Sequence, residues 1–289
     1  MKILTKKRIL CLLAFTVLFF AALPAPVCRA AELRFYAIDV GQGDSSLFIF
    51  PDGKSMLIDA GTPSSAKALV RYLKECGLRK IDVLVATHPH SDHIGGFPEV
   101  IRRFEIGEVW DSGYAHGSDL QIKFYTAIRD KKIPYGRPKR GYTREIGGAL
   151  VEVLAPAREI KGTKSDANNN SIVLRIVYGD VSFLMTGDME RAERKDISPL
   201  PCATVLKAAH HGSRTGTDAQ LLRETEPLVI ILSYGQGNSY GHPHPEVLRL
   251  FSENPRVKRF DTSGGTVKLR TDGTSLIYDR NREVVSDER

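Results

Sequence analysis

A cluster of potential metal ligands directly after a buried strand constrains this sequence more than any other feature. The cluster lies in the stretch THPHSDHIGG at residues 87–96, which follows the apolar run 81–86. A short continuous apolar run is typical of a buried strand, so the cluster falls in the loop at the strand's carboxyl edge. The side chains that can bind a metal there are His88, His90, Asp92 and His93. Three histidines and a carboxylate in this order predict a metal site.

The spacing of these side chains favours two metal ions over one. A single divalent ion is a poor match for all four ligands, whereas two ions a few ångströms apart can share them. We expect His88 and His90 on one ion, and Asp92 and His93 on the other.

Two ions need ligands from other parts of the chain, and two further strands end in suitable residues. Asp188 follows an apolar strand and a glycine, where it can bridge both ions, although aspartate after glycine is also common in turns. The apolar segment 205–209 ends in two histidines. We predict His210 as the ligand because it is nearer the strand, with His211 orienting a ligand or contacting phosphate. The reverse assignment stays open.

Residues 1–30 have the layout of a secretory signal peptide. Basic residues precede an apolar run from Ile9 to about Leu23, and Cys28-Arg29-Ala30 is a tolerable cleavage site. We therefore predict a secreted or extracytoplasmic mature chain over 31–289. An uncleaved anchor is the alternative, although the apolar run is shorter than the roughly 20 residues of a membrane span.

Removing the leader changes what the charge of the chain implies. The leader holds five basic residues and no acidic residue, so the net charge falls from +7 to +2 without it. The charge of the mature chain therefore gives no support by itself for nucleic-acid binding. One local basic cluster remains, and we expect its residues to lie on a solvated loop or edge strand. It consists of Lys131, Lys132, Arg137, Lys139, Arg140 and Arg144.

Strand and helix patterns occur in both halves of the mature chain. Strands are predicted at 33–40, 46–50, 55–60, 81–86, 150–154, 172–177, 182–185, 203–209, 228–233, 257–261, 266–269 and 275–278. Helices are predicted at 64–76, 95–104, 119–130, 190–195, 218–224 and 245–251. Two sheets, each covered by helices, would account for this order.

Seven sequence segments carry a family resemblance. They are 39–45, 57–61, 87–96, 168–174, 186–188, 206–213 and 239–244. Together they resemble the metallo-β-lactamase superfamily, and within it the hydrolase domain of the ComEC/Rec2 DNA-uptake proteins and their exported stand-alone relatives. The resemblance implies one hydrolase domain over 31–289 with a four-layer αββα fold. In that fold, two mixed sheets are flanked by helices, and the metal site lies at the sheet edges.

The resemblance also implies roles for individual residues. The implied ligands of two divalent ions, zinc or manganese, are His88, His90, Asp92, His93, Asp188 and His210. Asp44 and Asp59 are implied to hydrogen-bond ligand histidines and to fix their tautomers. A turn-forming role at the strand ends is the alternative for both aspartates.

One segment departs from the family pattern. Related dinuclear proteins carry a further first-metal histidine before the bridging aspartate, whereas residues 165–171 here read SDANNNS. Asp166 or an asparagine can supply an oxygen ligand instead, which would shift the preference from zinc towards manganese. Alternatively, this turn is only structural. We name Asn170 as a candidate contact to a ligand or to substrate, and we expect His116 to be an exposed loop histidine.

The segment NSYGHPH at 238–244 follows an apolar strand and adds two more histidines. His242 or His244 can bind a phosphate oxygen, protonate a leaving group or replace the missing metal ligand. A rigid proline-flanked turn before a helix is the alternative. The candidate catalytic residues are Asp92, His242 and His244.

These features predict hydrolysis by a metal-activated water. This chemistry needs no nucleophilic serine or cysteine, and we do not interpret the Gly-x-Ser-x-Gly string at 237–241 as a nucleophile elbow. The resemblance implies a phosphodiester substrate, with single-stranded DNA as one candidate, and hence an exported phosphodiesterase or nuclease related to competence proteins. The chain lacks the multi-span segment of full uptake proteins, and we expect no stable membrane domain after signal cleavage. The alternatives are hydrolysis of a small phosphoester, lactam or lactone, or a catalytically weak module that binds DNA or a wall polymer.

Overall fold

The computed structural model describes residues 31–278. Within them the chain forms fifteen β-strands and seven α-helices. The signal peptide predicted at 1–30 and the last residues, 279–289, lie outside the described residues. Among the described residues, no helix is long and apolar enough to cross a lipid bilayer.

The strands form two mixed sheets. In spatial order, the first sheet consists of Leu276–Tyr278 (β15), Val267–Thr271 (β14), Leu33–Ala37 (β1), Ser46–Ile49 (β2), Ser55–Ile58 (β3), Lys80–Ala86 (β4), Glu105–Asp111 (β5) and Tyr135–Gly136 (β6). The second consists of Lys258–Asp261 (β13), Val229–Leu232 (β12), Val205–Lys207 (β11), Val181–Met185 (β10), Val173–Tyr178 (β9), Ala149–Ala155 (β8) and Thr143–Ile146 (β7). Neighbouring strands are parallel from β3 to β6 and from β10 to β13, and antiparallel elsewhere.

Helices cover the outer face of each sheet. The first sheet is covered by the helices Ala66–Glu75 (α1), Phe97–Arg103 (α3) and Asp119–Asp130 (α4), with the short helix Ser91–Ile94 (α2) beside them. The second is covered by Arg191–Ile197 (α5), Ala219–Thr225 (α6) and Pro245–Ser252 (α7).

Apolar side chains fill the space between all four layers. Between the sheets, the ring of Phe183 lies 5.3 Å from the rings of both Phe35 and Phe48. Phe97 on α3 and Leu221 on α6 are buried against the outer faces. Each such fully buried side chain contributes roughly 1.5–3 kcal/mol to folding. The layers confirm the predicted αββα fold with two mixed sheets flanked by helices.

The carboxyl ends of the parallel strands place the predicted ligands together. The loop after β4 carries His88, and the turn after β10 carries Asp188. These residues come from different sheets, yet Nε2 of His88 lies 3.8 Å from Oδ2 of Asp188. Ligand sites of α/β proteins commonly lie at the carboxyl ends of parallel strands.

One strand was missed by the sequence prediction. The segment Glu105–Asp111 forms β5 between β4 and β6, and its Trp110 is buried. Two glutamates and Gly107 interrupt its apolar pattern, so the period of two is weak. The basic cluster lies where we predicted, since β6 and β7 are edge strands of their sheets.

Candidate metal centre

Two groups of metal-ligand atoms meet at the carboxyl ends of the strands. One group consists of His88, His90 and Asp188, and the other of Asp44, His93, Asp188 and His211. Within each group the ligand atoms all lie within 4.8 Å of one another. Asp188 belongs to both groups, so its carboxylate lies between them.

The first group has two histidine nitrogens that face each other. Nε2 of His88 lies 3.0 Å from Nδ1 of His90. The hydroxyl of Thr87 donates its proton to Asp59, so it can only accept from Nδ1 of His88, which lies 3.1 Å away. Nε2 of His88 is therefore the nitrogen that can bind a metal ion.

The second group places His211 beside two carboxylates. Nε2 of His211 lies 3.3 Å from Oδ2 of Asp92 and 3.5 Å from Oδ2 of Asp188. Nε2 of His93 lies 3.3 Å from Oδ1 of Asp188. Nδ1 of His211 lies 2.9 Å from the carbonyl oxygen of Ser233, which can only accept, so this nitrogen carries a proton. Nε2 of His211 is again the nitrogen that faces the centre and can bind a metal ion in place of a proton.

The geometry favours His211 as a ligand over His210, the residue that we predicted. Nδ1 of His210 lies 3.2 Å from Oε1 of Glu190, and its Nε2 is 3.7 Å from Asp188. His210 also belongs to neither ligand group, and its ring lies on the wall of the cleft. Both histidines have left-handed backbones, with φ of 50° and 52°. We therefore assign the ligand role to His211 as a proposal, and a role on the cleft wall to His210.

Asp59 fixes the orientation of two candidate ligands. Its Oδ2 lies 2.7 Å from Nδ1 of His93, and it accepts hydrogen bonds from the amide and the hydroxyl of Thr87. Through Thr87 it also sets the tautomer of His88. Asp59 has a φ of 60°, a region in which aspartate and asparagine are among the least strained residues.

We expect Asp59→Asn to weaken metal binding by roughly 10–100-fold, the usual effect of removing a carboxylate that orients a ligand histidine. The amide keeps the size and the backbone preference, but its NH₂ group cannot accept from both partners. Competition with a chromogenic chelator measures the affinity. Asp82→Asn is the matched control, because Asp82 accepts from the Ser55 amide away from the centre. An affinity equal to that of the control would contradict this role.

Asp44 takes part in an ion pair that the sequence did not reveal. Its Oδ2 lies 2.8 Å from Nζ of Lys207, which is only 2% exposed. The Asp44 amide also donates to the carbonyl of Asp92 at 3.1 Å. This approach requires Gly43, because a Cβ there would lie 2.1 Å from the same carbonyl oxygen. Asp44 thus links the loop of residues 41–45 to Asp92.

The electrostatics of the cluster fit a bound cation. Burial opposes ionisation of Asp188, but the neighbouring His211 and His93 hold the pKa of its carboxyl well below its usual value. Burial likewise opposes protonation of His211, yet the Asp188 and Asp44 carboxylates raise its pKa to about 10. Oδ1 of Asp188 is buried and makes no hydrogen bond within the described residues. The carboxylates thus hold positive charge on the neighbouring imidazoles, and a divalent metal ion suits this cluster because it would supply that charge in place of the protons.

In the asparagine-rich turn, Asn168 has the best geometry for a polar contact with the site. Asn170, our candidate, instead spans the turn, accepting from the Ile160 amide and donating to the Ile160 and Asp166 carbonyls. Asp166 caps the backbone at Gly162 and Thr163. Asn168 lies beside His210, and its buried Oδ1 makes no hydrogen bond within the described residues. The side-chain oxygen of Asn168 is therefore available to accept a hydrogen bond or to bind a metal ion.

The ligand groups open into a cleft of about 330 Å³. Its lining consists of Gln42, Pro89, His90, Ser91, Asp92, His116, Ser118, Leu120, Asp188, His210, His211, Tyr240 and His242. His116 is exposed, as predicted, but it also forms part of the wall, with its ring 5.6 Å from that of His90. Gln121 positions this loop by accepting from the amides of His116 and Gly117.

The two histidines of the 238–244 segment differ in position. His242 lines the cleft, and burial lowers its pKa to about 4, with further lowering by His210 and His211. Its imidazole is therefore neutral near pH 7, which favours hydrogen bonding over general-acid catalysis. His244 does not line the cleft, and its Nδ1 accepts from the Arg214 amide at 3.2 Å. The geometry therefore does not favour the catalytic role that we predicted for His244.

The chain is similar to several known proteins. The family model of the metallo-beta-lactamase superfamily matches residues 38–235. ComE operon protein 3 of Bacillus subtilis is 30% identical over 276 residues, covering 87% of this chain but 35% of that protein. The chain thus spans about a third of the length of this relative. An exodeoxyribonuclease, YycJ of Bacillus anthracis, is 28% identical over 74 residues, or 26% of this chain and 28% of that one.

A solved structure shares the fold. The metallo-beta-lactamase fold protein YhfI from Bacillus subtilis superposes with a TM-score of 0.53 at 15% identity, covering 82% of this chain and 99% of that one. At this identity the likeness concerns the fold alone.

Proposed function

Because this chain belongs to the metallo-beta-lactamase superfamily and is a metal-dependent hydrolase of that family, we propose that it is an exported phosphodiesterase that acts on nucleic acid. The observation that carries the proposal is the position of Asp188, between two ligand groups at the base of an open cleft. Two-metal sites of this kind are suited to in-line displacement at phosphorus. Export is proposed from the sequence of residues 1–30.

The proposed ligands divide into two sets that share Asp188. His88 and His90 would hold one divalent ion, and Asp92, His93 and His211 the other. The donor set of imidazoles and carboxylates suits both zinc and manganese. Bound divalent ions supply a Lewis acid and lower the pKa of water, so that a nucleophile forms near neutral pH.

The remaining residues of the centre orient the ligands and receive the substrate. Asp59 and the Ser233 carbonyl hold the Nδ1 protons of His93 and His211, so that both Nε2 atoms face the cleft base. His210 is held by Glu190 at the cleft wall, where its ring can hydrogen-bond a phosphate oxygen. His242 is neutral, and its buried Nδ1 has no hydrogen-bond partner among residues 31–278, so its ring can do the same from the next position.

The nucleic-acid substrate is supported by the shape of the cleft and by one relative. The cleft is open enough to admit part of a chain, and no covalent nucleophile is needed for hydrolysis of a phosphodiester. The name of the Bacillus anthracis relative places an exodeoxyribonuclease among proteins similar to this chain. Single-stranded DNA is therefore the first substrate to assay.

The test uses purified protein that has been stripped with a chelator and reloaded separately with zinc or manganese. Single-stranded DNA and bis-p-nitrophenyl phosphate are assayed side by side. We expect the reloaded protein to hydrolyse both substrates, and the stripped protein to hydrolyse neither. Metal uptake without turnover of either substrate would contradict the proposal.

Other outcomes identify the alternatives. Hydrolysis of the small phosphodiester but not of DNA would indicate a small-molecule phosphoesterase. Turnover of only a lactam or lactone would indicate a carbonyl hydrolase. Salt-sensitive, length-dependent DNA binding without cleavage would indicate a binding module.

A further inference from the structure

An aromatic stack leads from the metal centre to the surface. The rings of His211 and His242 lie 6.2 Å apart with an interplanar angle of 25°. The rings of His242 and Tyr240 lie 5.8 Å apart at 22°. Three nearly parallel rings therefore extend from a proposed metal ligand to the mouth of the cleft, with Tyr240 outermost.

Tyr240 presents an open aromatic face on a braced loop. It is 63% exposed, the most exposed of the large aromatic side chains within residues 31–278. The Asn238 side chain holds its loop, because Oδ1 accepts from the Tyr240 and His242 amides while Nδ2 donates to the His242 carbonyl. The phenol hydroxyl has no hydrogen-bond partner in the part of the chain that the structure describes. The loop thus holds the Tyr240 ring in place, while the outer face of the ring and its hydroxyl remain exposed.

A second depression begins on the other side of His242. It has a volume of about 490 Å³, and its lining consists mainly of Tyr234, Gln236, Gly237, Asn238, Gly241 and Ser263, with His242 shared by the catalytic cleft. No carboxylate lines it. Its size is that of a ligand pocket, which is commonly about 300–1,000 Å³. An uncharged polar lining suits a sugar–phosphate unit better than an acidic lining would.

The proposed function gives these features a common explanation, and the inference rests on it. A single strand of nucleic acid has unstacked bases, which stack on exposed aromatic side chains with little dependence on sequence. The bases of a duplex are already stacked and cannot reach such a ring. We propose that Tyr240 stacks on the base of a nucleotide next to the scissile phosphate, and that the depression beyond His242 receives the following nucleotide.

The test combines a protein variant with a substrate variant. Short oligothymidylates carry one abasic site, placed at each position in turn, and kcat/KM is measured for wild type, Tyr240→Ala and Tyr240→Phe. In wild type we expect one position at which the missing base lowers kcat/KM by about tenfold, as base–aromatic stacking predicts. Tyr240→Ala should abolish that positional penalty, and Tyr240→Phe should keep it, because the hydroxyl is unused.

Two controls separate stacking from general damage. Tyr142→Ala removes a tyrosine that is 41% exposed and absent from the cleft lining, so it should leave the abasic profile unchanged. Methyl p-nitrophenyl phosphate, which has no base, reports on the chemistry of the centre. An abasic profile of Tyr240→Ala identical to that of wild type would overturn the inference.

The failure of the inference and that of the proposed function give different results. Cleavage of oligothymidylates with the same abasic profile for wild type and Tyr240→Ala would keep the proposed function and overturn only the inference. Turnover of methyl p-nitrophenyl phosphate without cleavage of any oligothymidylate would overturn both the nucleic-acid substrate and the strand subsite. If neither substrate is turned over, fluorescence anisotropy in chelator measures binding of a labelled oligothymidylate directly. The inference would then be supported if Tyr240→Ala bound the intact strand about tenfold more weakly than wild type but bound an abasic strand equally well. Equal binding by both proteins would overturn it.

Discussion

We expect Asp188→Asn to lower kcat/KM for phosphodiesters by about a thousandfold, which corresponds to about 4 kcal/mol of lost transition-state stabilisation. Asp188 lies within 3.8 Å of ligand nitrogens on His88, His93 and His211, so both ligand groups depend on its charge. Asparagine keeps the size but removes the negative charge, and its amide NH₂ group cannot bind a metal. Steady-state hydrolysis of bis-p-nitrophenyl phosphate by metal-loaded protein measures the loss.

The same preparation shows whether the loss is local. Circular dichroism of Asp188→Asn should match that of wild type, because asparagine and aspartate have nearly the same side-chain volume. Asp82→Asn, a change of the same kind away from the centre, should keep wild-type activity. Retention of activity within tenfold by Asp188→Asn would remove Asp188 from the proposed ligand set.

We expect Lys207→Met to destabilise the fold by about 3–5 kcal/mol, the usual cost of removing one partner from a buried ion pair. Lys207 and Asp44 lie 2.8 Å apart, and their side chains are 2% and 6% exposed. Methionine retains most of the apolar stem but leaves the Asp44 carboxylate without its cation. Urea unfolding of the metal-free protein measures the change.

A double variant and a variant of an exposed ion pair serve as controls for the effect of Lys207→Met. Asp44→Asn combined with Lys207→Met should cost less than the sum of the single changes, because neither charge is then left alone. Lys54→Met breaks an exposed pair with Asp52 and should cost about 0–1 kcal/mol. A Lys207→Met protein as stable as Lys54→Met would show that the buried pair contributes little.

The sequence was sufficient for the fold class because local chemistry and apolar periodicity agree along most of the chain. Apolar runs predicted the strands, and the residues directly after them carry the chemistry, as at His88 and Asp188. These strand-end residues were predicted to lie together because a two-metal site needs a bridging carboxylate and ligands from several parts of the chain. The weak pattern of β5 explains why that strand was missed.

Residue-level assignments depended on tertiary structure. His210 and His211 are adjacent at the same strand end, and their Nε2 atoms lie 3.7 Å and 3.5 Å from Asp188. Only tertiary contacts distinguish them, because Glu190 lies beside Nδ1 of His210 whereas the Ser233 carbonyl accepts from Nδ1 of His211. Lys207 is indistinguishable in sequence from a solvated lysine, since its burial depends on Asp44 from the other sheet.

The sequence by itself therefore determined the fold class, the family and the strand-end position of the candidate metal ligands, because these follow from patterns within single segments. Only the tertiary structure places His211 in a ligand group beside Asp188, leaves the Asn168 oxygen without a hydrogen bond among the described residues, and exposes the Tyr240 ring at the cleft. Those features arise from contacts between the two sheets and their loops, and such contacts are not encoded in the periodicity of any one segment.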